Sequence, residues 1–231
     1  MDGNRRYARR LGLHIANGHR KGLEKLLEVV AICSALGVKA VTVYAFSLQN
    51  YRRSSHEINH LMAIASDSTR NGGSLREFAE REGCRIRFCG DFRFLGEELH
   101  PKLAQLERDT DIFDSISVNI CMSYGARNDI SRALECTRSS DFKGEDTCAK
   151  HSFYSNLVAG PCGPPQVLIR TSGVTRLSDF LIYQCSEFTT FYFVSETWPQ
   201  LSLWSILSVF LHRAIFERRH SAKGAFTAFT D

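Results

Sequence analysis

The chain has 231 residues, 43% hydrophobic and 23% charged, a globular balance that argues against wholesale disorder and suits one α/β domain with a full core. Its formal charge of +4 fits anionic small molecules or lipid headgroups and is too small for a dedicated nucleic-acid binder. The eight cysteines form no C-x-x-C pair, which leaves zinc ribbons and thioredoxin-like chemistry unsupported and makes a reduced compartment the simpler reading.

The first ten residues crowd together Asp2, Gly3, Asn4 and four arginines, Arg5, Arg6, Arg9 and Arg10. Asp2 or Asn4 is expected to cap a helix running from about Arg5, whose unpaired first-turn N–H groups favour an anion. Arginines beside them can fork onto phosphate oxygens. A carboxylate in the same place implies a divalent cation between it and the phosphate, so the stretch reads as a metal–diphosphate site rather than as a plain basic tail. Leu23, Leu26, Leu27, Val30, Cys33 and Leu36 then repeat at helical spacing from Gly18, and Gly37 closes that helix. The β-branched run 38–46 is a strand ending at Ser47.

A helix from Ser54 or Ser55 to about Glu82 follows, with a weak point at Gly72-Gly73. After it come a strand at 85–89, a helix at 101–110, a strand at 115–122 and a helix at 129–137. Residues 138–152 are polar and read as a loop. Strands at 167–169 and 191–194 and a closing helix at 204–219 complete the pattern. The most apolar run, 201–211, is too short to span a bilayer and is followed by His212 and Arg213. Alternating strands and helices predict a single α/β domain with a mostly parallel central sheet flanked by helices, its site at the C-terminal ends of the strands.

The residues suited to chemistry gather at those ends. Ser47, Asn50, Tyr51, Arg52 and Arg53 follow the first strand, and Arg170-Thr171-Ser172-Gly173, with Arg176 and Ser178, follow a later one. Gly18-His19-Arg20 opens the long helix beside them. Each cluster alone could be arginines on a solvated loop. Three clusters at element ends instead suggest two anion sites in one cleft, and so two phosphorylated substrates. His56-Glu57-Ile58-Asn59-His60 matches H-E-x-x-H, but no third ligand is spaced for it. No phosphate-binding P-loop, G-x-G-x-x-G or G-x-S-x-G stands in the sequence, and Asp109, Asp111 and Asp114 do not form a D-D-x-x-D pair.

With Met1-Asp2-Gly3-Asn4-Arg5-Arg6, Gly18-His19, Tyr44-Ala45-Phe46-Ser47 with Asn50 and Arg53, Ser123 to Ile130, Arg170 to Gly173 with Arg176 to Phe180, and Trp198-Pro199 in the same chain, the sequence resembles the cis-prenyltransferases, the undecaprenyl and dehydrodolichyl diphosphate synthases, and looks more like their eukaryotic branch. The resemblance runs nearly end to end. It implies an apolar tunnel in the fold and a Mg²⁺-dependent enzyme adding isopentenyl diphosphate to an allylic diphosphate, farnesyl in the first instance, to make a long polyprenyl diphosphate. Gly3, Asn4, Arg5, Arg6 and His19 would hold the allylic diphosphate, with Tyr7 and Ser47 beside it. Arg170, Arg176 and Ser178 would hold isopentenyl diphosphate. Asp2 would bind Mg²⁺, with Glu217 as a second metal position. Asn50 stands at the family's proton-removal position, where a neutral amide is expected to orient a water or a diphosphate oxygen. Tyr51, Arg53 and Glu57 would line the mouth, and Phe46, Leu61, Met62 and Ile64 the tunnel.

The sequence also departs from the family pattern. No apolar strand precedes Met1, so the chain is expected to lack its first strand and Asp2 to fray. Gln166 and Val174 replace usual acids, and the closing Arg-x-Gly appears as Arg219-His220-Ser221. Loss of that glycine implies either a homodimer or a heterodimer with a Nogo-B-receptor-like subunit. The resemblance further implies peripheral association with the cytoplasmic face of the endoplasmic reticulum. The competing expectation is a non-catalytic or degenerate subunit that stabilises an active partner.

Overall fold

Local signals at the helix starts set most element boundaries. The computed structural model describes residues 1–139, 152–158 and 162–221, and the side chains of residues 139 and 216–221 lie outside that description. Helix α1 spans Asn4–Arg10 and is capped by neither Asp2 nor Asn4. Gly3 takes the N-cap position with φ 100°, and no side chain caps the first turn. Helix α2, Ile15–Ala35, begins one turn earlier than Gly18, because the Nδ1 of His14 accepts the N–H of Ala16. Strand β1 is Ala40–Ser47.

The long helix expected over 54–82 is two helices, α3 (Ser55–Thr69) and α4 (Ser74–Glu82). Arg70, with φ −67° and ψ 168°, turns the backbone extended and ends the first. Strand β2 (Cys84–Cys89), helix α5 (Leu99–Thr110), strand β3 (Ile116–Tyr124) and helix α6 (Ala126–Ser139) follow. The loop expected over 138–152 lies mostly outside the described residues, although α6 runs through Ser139 and residues 152–156 are helical. Strands β4 (Val167–Arg170) and β5 (Thr190–Phe193) and helix α7 (Leu203–Ser221) complete the chain.

The sheet is parallel, as the alternating pattern predicts, and is realised in two parts: β1-β3-β2 and β4-β5. Parallel strands covered on both faces are apolar throughout, and β3, paired on both sides, is buried at eight of its nine positions. The main core fills the space between this sheet and the helices with Leu26, Val30, Ile86, Leu103, Leu106 and Val118. A second cluster joins the two sheets, with Cys121 and Tyr124 of β3 against Leu168 of β4, and Leu181 and Cys185 beyond it. Under it the buried Asp129 carboxylate accepts hydrogen bonds from Tyr124 Oη, Gln184 Nε2, Arg132 Nη2 and the Val158 N–H. A buried carboxylate costs little only when its lone pairs are taken in this way. The motif from Ser123 to Asp129 therefore has a structural use of its own.

Helix α1 reaches the site because α2 lets it approach. At Gly18 an added Cβ would lie 2.3 Å from the Asn4 carbonyl oxygen and 3.1 Å from the Ala8 Cβ. Overpacking of this kind typically costs about 1–3 kcal/mol, and a backbone oxygen yields less than a side chain would. Gly18→Ala is therefore expected to lower the thermal midpoint by roughly 2–4 °C for each kcal/mol lost, read by calorimetry. An unchanged midpoint would show that α1 is free to move aside.

Candidate active site

The C-terminal end of β4 and the N-terminus of α1 meet at Asp2. Its N–H donates to Thr171 Oγ1 (3.1 Å), and Thr171 Oγ1 donates back to its carbonyl (3.0 Å). The Trp198 N–H also donates to that carbonyl, at 2.8 Å. Residue 2 is thus held by three backbone hydrogen bonds and does not fray. The neighbouring Gly3 is pressed so close that a Cβ there would lie 2.1 Å from Ser172 Oγ and 2.8 Å from Thr197 Cβ.

Arg170 spans the two anion clusters. Its Nη2 donates to Asp2 Oδ2 at 3.2 Å, and its Nη1 donates to Ser178 Oγ at 2.8 Å and to the Arg176 carbonyl. The loop it holds is bent hard. Ser172, Ser178, Asp179 and Leu181 all have positive φ, a conformation costly for residues with a Cβ and maintained only where the surroundings enforce it. Arg6 contributes to that enforcement, donating from Nη1 to the Ser172 carbonyl at 3.1 Å. The Arg176 carbonyl is part of the cluster, whereas its side chain is exposed.

On the other wall Glu57 is the hub. Its side chain, 13% exposed, lies 3.0 Å from Arg53 Nη1, 3.4 Å from His19 Nε2 and 3.7 Å from Arg5 Nη1. That Nε2 is buried and makes no hydrogen bond among the described residues, and neither does Ser172 Oγ. Buried polar groups without a well-formed hydrogen bond carry a free-energy cost, which a polar ligand could relieve at Ser172 Oγ and at His19 Nε2, where Glu57 is the only near acceptor described. Burial pushes the His19 imidazole below its ordinary pKa, Glu57 partly restores it, and Arg53 depresses it again. The same ion pairs take up the H-E-x-x-H stretch: Glu57 faces this cleft, and the His56 ring meets His14 at 6.3 Å instead of a metal-ligand set.

Not every expected residue lies in the cradle. Asn50 is spent locally: its Oδ1 accepts the Ser47 N–H at 3.2 Å in a reciprocal capping box over the 3₁₀ turn Leu48–Arg52. Its Nδ2 remains a donor that can hold an anion's oxygen. The Tyr51 hydroxyl turns inward, bonded to Ser123 Oγ (2.7 Å) and the Phe94 carbonyl (2.9 Å). Tyr7 lies in α1, its N–H spent on the Gly3 carbonyl. Asn4 buries its Oδ1 beside Gly22. Glu217 lies on α7, with its side chain outside the described residues. Phe46 is fully packed in the core, and Leu61 and Met62 pack against it, whereas Ile64 is half-buried apart from that cluster.

Sequence reasoning marks Thr171 and Trp198 only as members of motifs, and no local signal shows that both bind the Asp2 backbone. The Ser47-x-x-Asn50 spacing is a legible capping signal, and it assigns Asn50 its first partner. Asp2 is 42% exposed and has one carboxylate oxygen not engaged by Arg170. A single carboxylate fits Mg²⁺, which commonly takes one or two protein carboxylates and completes its octahedron with water and substrate phosphate.

A comparison with family models matches residues 1–221 to the prenyltransferase model described as undecaprenyl diphosphate synthase. The chain belongs to that family, the cis-prenyltransferases. It is 32% identical to a dehydrodolichyl diphosphate synthase complex subunit of Schizosaccharomyces pombe, over 91% of this chain and 81% of that one. A human dehydrodolichyl diphosphate synthase complex subunit is 34% identical, over 96% of this prenyltransferase and 66% of its relative. Lavandulyl diphosphate synthase from Lavandula x intermedia, solved with dimethylallyl diphosphate, superposes with a TM-score of 0.84 at 26% identity, covering 92% of each chain. Relatives named as diphosphate synthases and isoprenyl transferases make this prenyltransferase an enzyme of polyprenyl diphosphate synthesis.

The depressed His19 pKa has a measurable sign. The folded state favours the neutral imidazole, so its contribution to stability is complete above the ordinary value of 6.5. It is lost as pH falls from there through the lower folded value. NMR titration is expected to place His19 below 6.5, and Glu57→Gln to move it lower still by removing the charge that opposes burial. A His19 that titrates above 6.5 would contradict the buried placement.

Proposed function

We propose that this chain joins an allylic diphosphate, farnesyl in the first instance, to isopentenyl diphosphate and repeats the step to build a long dehydrodolichyl-type polyprenyl diphosphate. The observation that carries the proposal is the placement of Arg170, which contacts both Asp2 and Ser178 and so couples two anion-binding walls. In each cycle the C1–O bond of the allylic diphosphate breaks and diphosphate leaves with the electron pair. C1 bonds to C4 of isopentenyl diphosphate, which then loses a proton from C2.

The residues fit these demands. Asn4, Arg5 and Arg6 begin α1 without a capping side chain, so their N–H groups are open to an anion. Arg5 and His19 stand on the same wall facing Glu57, and His19 Nε2, which lies 3.4 Å from that carboxylate without a hydrogen bond of good geometry, can turn its donor to a diphosphate oxygen as charge accumulates there. Arg53, tied to Glu57, adds positive charge at the mouth. Arg170, Arg176 and Ser178 suit the second diphosphate. Asp2 is the residue that would hold Mg²⁺, which when bound supplies charge neutralisation on the departing diphosphate. Asn50 orients an oxygen through Nδ2. Ser47 and Tyr51 act by fixing the 3₁₀ turn that carries Asn50 and Arg53.

Incubation with farnesyl and labelled isopentenyl diphosphates tests this reading. Chain elongation is expected with Mg²⁺, and Asp2→Ala should lower it by about 10²-fold or more, the scale of losing a group that stabilises developing charge. No elongation, even with a partner subunit added, would refute the proposal. Activity of a co-purified partner that survives Asp2→Ala would favour the non-catalytic subunit.

The enzyme is further proposed to work as a dimer. Trp204, Leu211 and Ile215 share one side of α7 and are 80%, 64% and 46% exposed. Apolar stripes of this size mark association surfaces more often than free ones. Relatives named as complex subunits point to a second chain of this family, a homodimer or a Nogo-B-receptor-like partner. Sedimentation of the pure chain distinguishes them: Trp204→Glu with Leu211→Glu should convert a homodimer to monomer, or abolish pairing with an added partner. Pairing that survives both changes would place the interface elsewhere. No described helix is long and apolar enough to cross a membrane, which suits peripheral association with the cytoplasmic face of the endoplasmic reticulum.

A further inference from the structure

The turn between α1 and α2 presents a feature that prenyl transfer does not use. Leu11 and Leu13 are 55% and 40% exposed, although burying a leucine is worth about 1.5–3 kcal/mol in an ordinary fold. They flank Gly12, whose φ is 63° and beside which an added Cβ would meet nothing within 4 Å. Backbone hydrogen bonds make the turn stiff: the Gly12 N–H donates to the Arg9 carbonyl at 3.2 Å and the Leu13 N–H to the Ala8 carbonyl at 2.9 Å. Two leucines therefore stand on a rigid knob with open space in front of them.

Positive charge surrounds that knob. Arg9 and Arg10 close α1, and Arg20 projects from the next helix. All three are exposed, and among the described residues no ion pair neutralises them. His14 and His56 meet beside them at 6.3 Å between ring centres. His14, which caps α2, and His56, in the first turn of α3, bring the two helix starts together beside the turn, and Arg20 lies about one and a half turns along α2.

We infer that this knob docks the enzyme on an anionic lipid surface, with Leu11 and Leu13 entering the acyl boundary and Arg9, Arg10 and Arg20 lying among the headgroups. The arrangement of apolar tip and cationic collar is the one interfacial anchors use. Residues 9–13 include no aromatic side chain of the kind that anchors protein interfaces. The surface also lies close to the cleft. His14 caps the helix that carries His19, and His56 stands next to Glu57. The preference for lipid over another anionic surface rests partly on the proposed polyprenyl product, which is itself a lipid.

Flotation of the full chain with phosphatidylcholine vesicles, with and without phosphatidylserine, tests the inference. Binding is expected only with phosphatidylserine and should weaken as salt is raised. Arg9→Gln and Arg10→Gln should each reduce partitioning by about fivefold, and Leu11→Ser with Leu13→Ser by about tenfold or more. These positions lie outside the proposed diphosphate cradle, so turnover of soluble substrates in detergent should persist in all of them. Circular dichroism confirms that the variants fold. Flotation of the leucine and arginine variants equal to that of the unaltered chain would overturn the inference. So would release by Trp204→Ser alone, or binding to polyglutamate with none to vesicles. Vesicle binding without any chain elongation would refute the prenyl-transfer reading and leave the docking surface standing.

Discussion

Asp2 and Arg170 are 168 positions apart and touch at 3.2 Å, and the geometry of the cleft depends on that contact. Alone, an exposed carboxylate–guanidinium pair contributes little. Here the pair stands on fixed backbone. Thr171 and Trp198 bind the peptide of residue 2, and the bent loop beyond β4 is tied to Arg170 through Ser178 and the Arg176 carbonyl. The pair therefore sets the distance between the two walls of the cleft, the one at Asp2 and the one at Ser178. Gly3 permits the approach, since no larger residue could stand against Ser172 and Thr197.

Charge in the cleft is arranged unevenly, and this bears on catalysis. Glu57 is shared among Arg5, Arg53 and His19, while Arg170 is opposed by Asp2. The cationic groups outnumber the acids that face them, so the cleft attracts anions while each arginine keeps a defined direction. Burial lowers the pKa of His19, and its Nε2, 3.4 Å from Glu57, makes no hydrogen bond among the described residues, so under the proposed reaction it is a donor available to leaving-group charge. Such preorganisation matters because no solvent has to rearrange at the moment of reaction.

Much of the scaffold is legible in the sequence. The periodicity of Leu23 to Leu36 and the β-branched run into Phe46 give α2 and β1 within a few residues. The errors fall where local chemistry is unusual. Histidine is an uncommon N-cap, so the start at Ile15 is hidden, and a glycine cap at residue 3 displaces the expected aspartate or asparagine. Asn50 has the spacing of a capping box, yet its motif points to proton removal, and only coordinates show that Oδ1 is already engaged.

By itself the sequence determined the family and the parallel α/β order, and it singled out the residues proposed to hold diphosphate, because each of these depends on residue type and spacing along the chain. The tertiary structure decided which of those residues act together. Asp2 is steadied by Thr171 and Trp198, Tyr51 is turned away to Ser123, and Glu57 collects three cations. These outcomes depend on distances between segments far apart in the chain, which packing sets and local pattern does not encode.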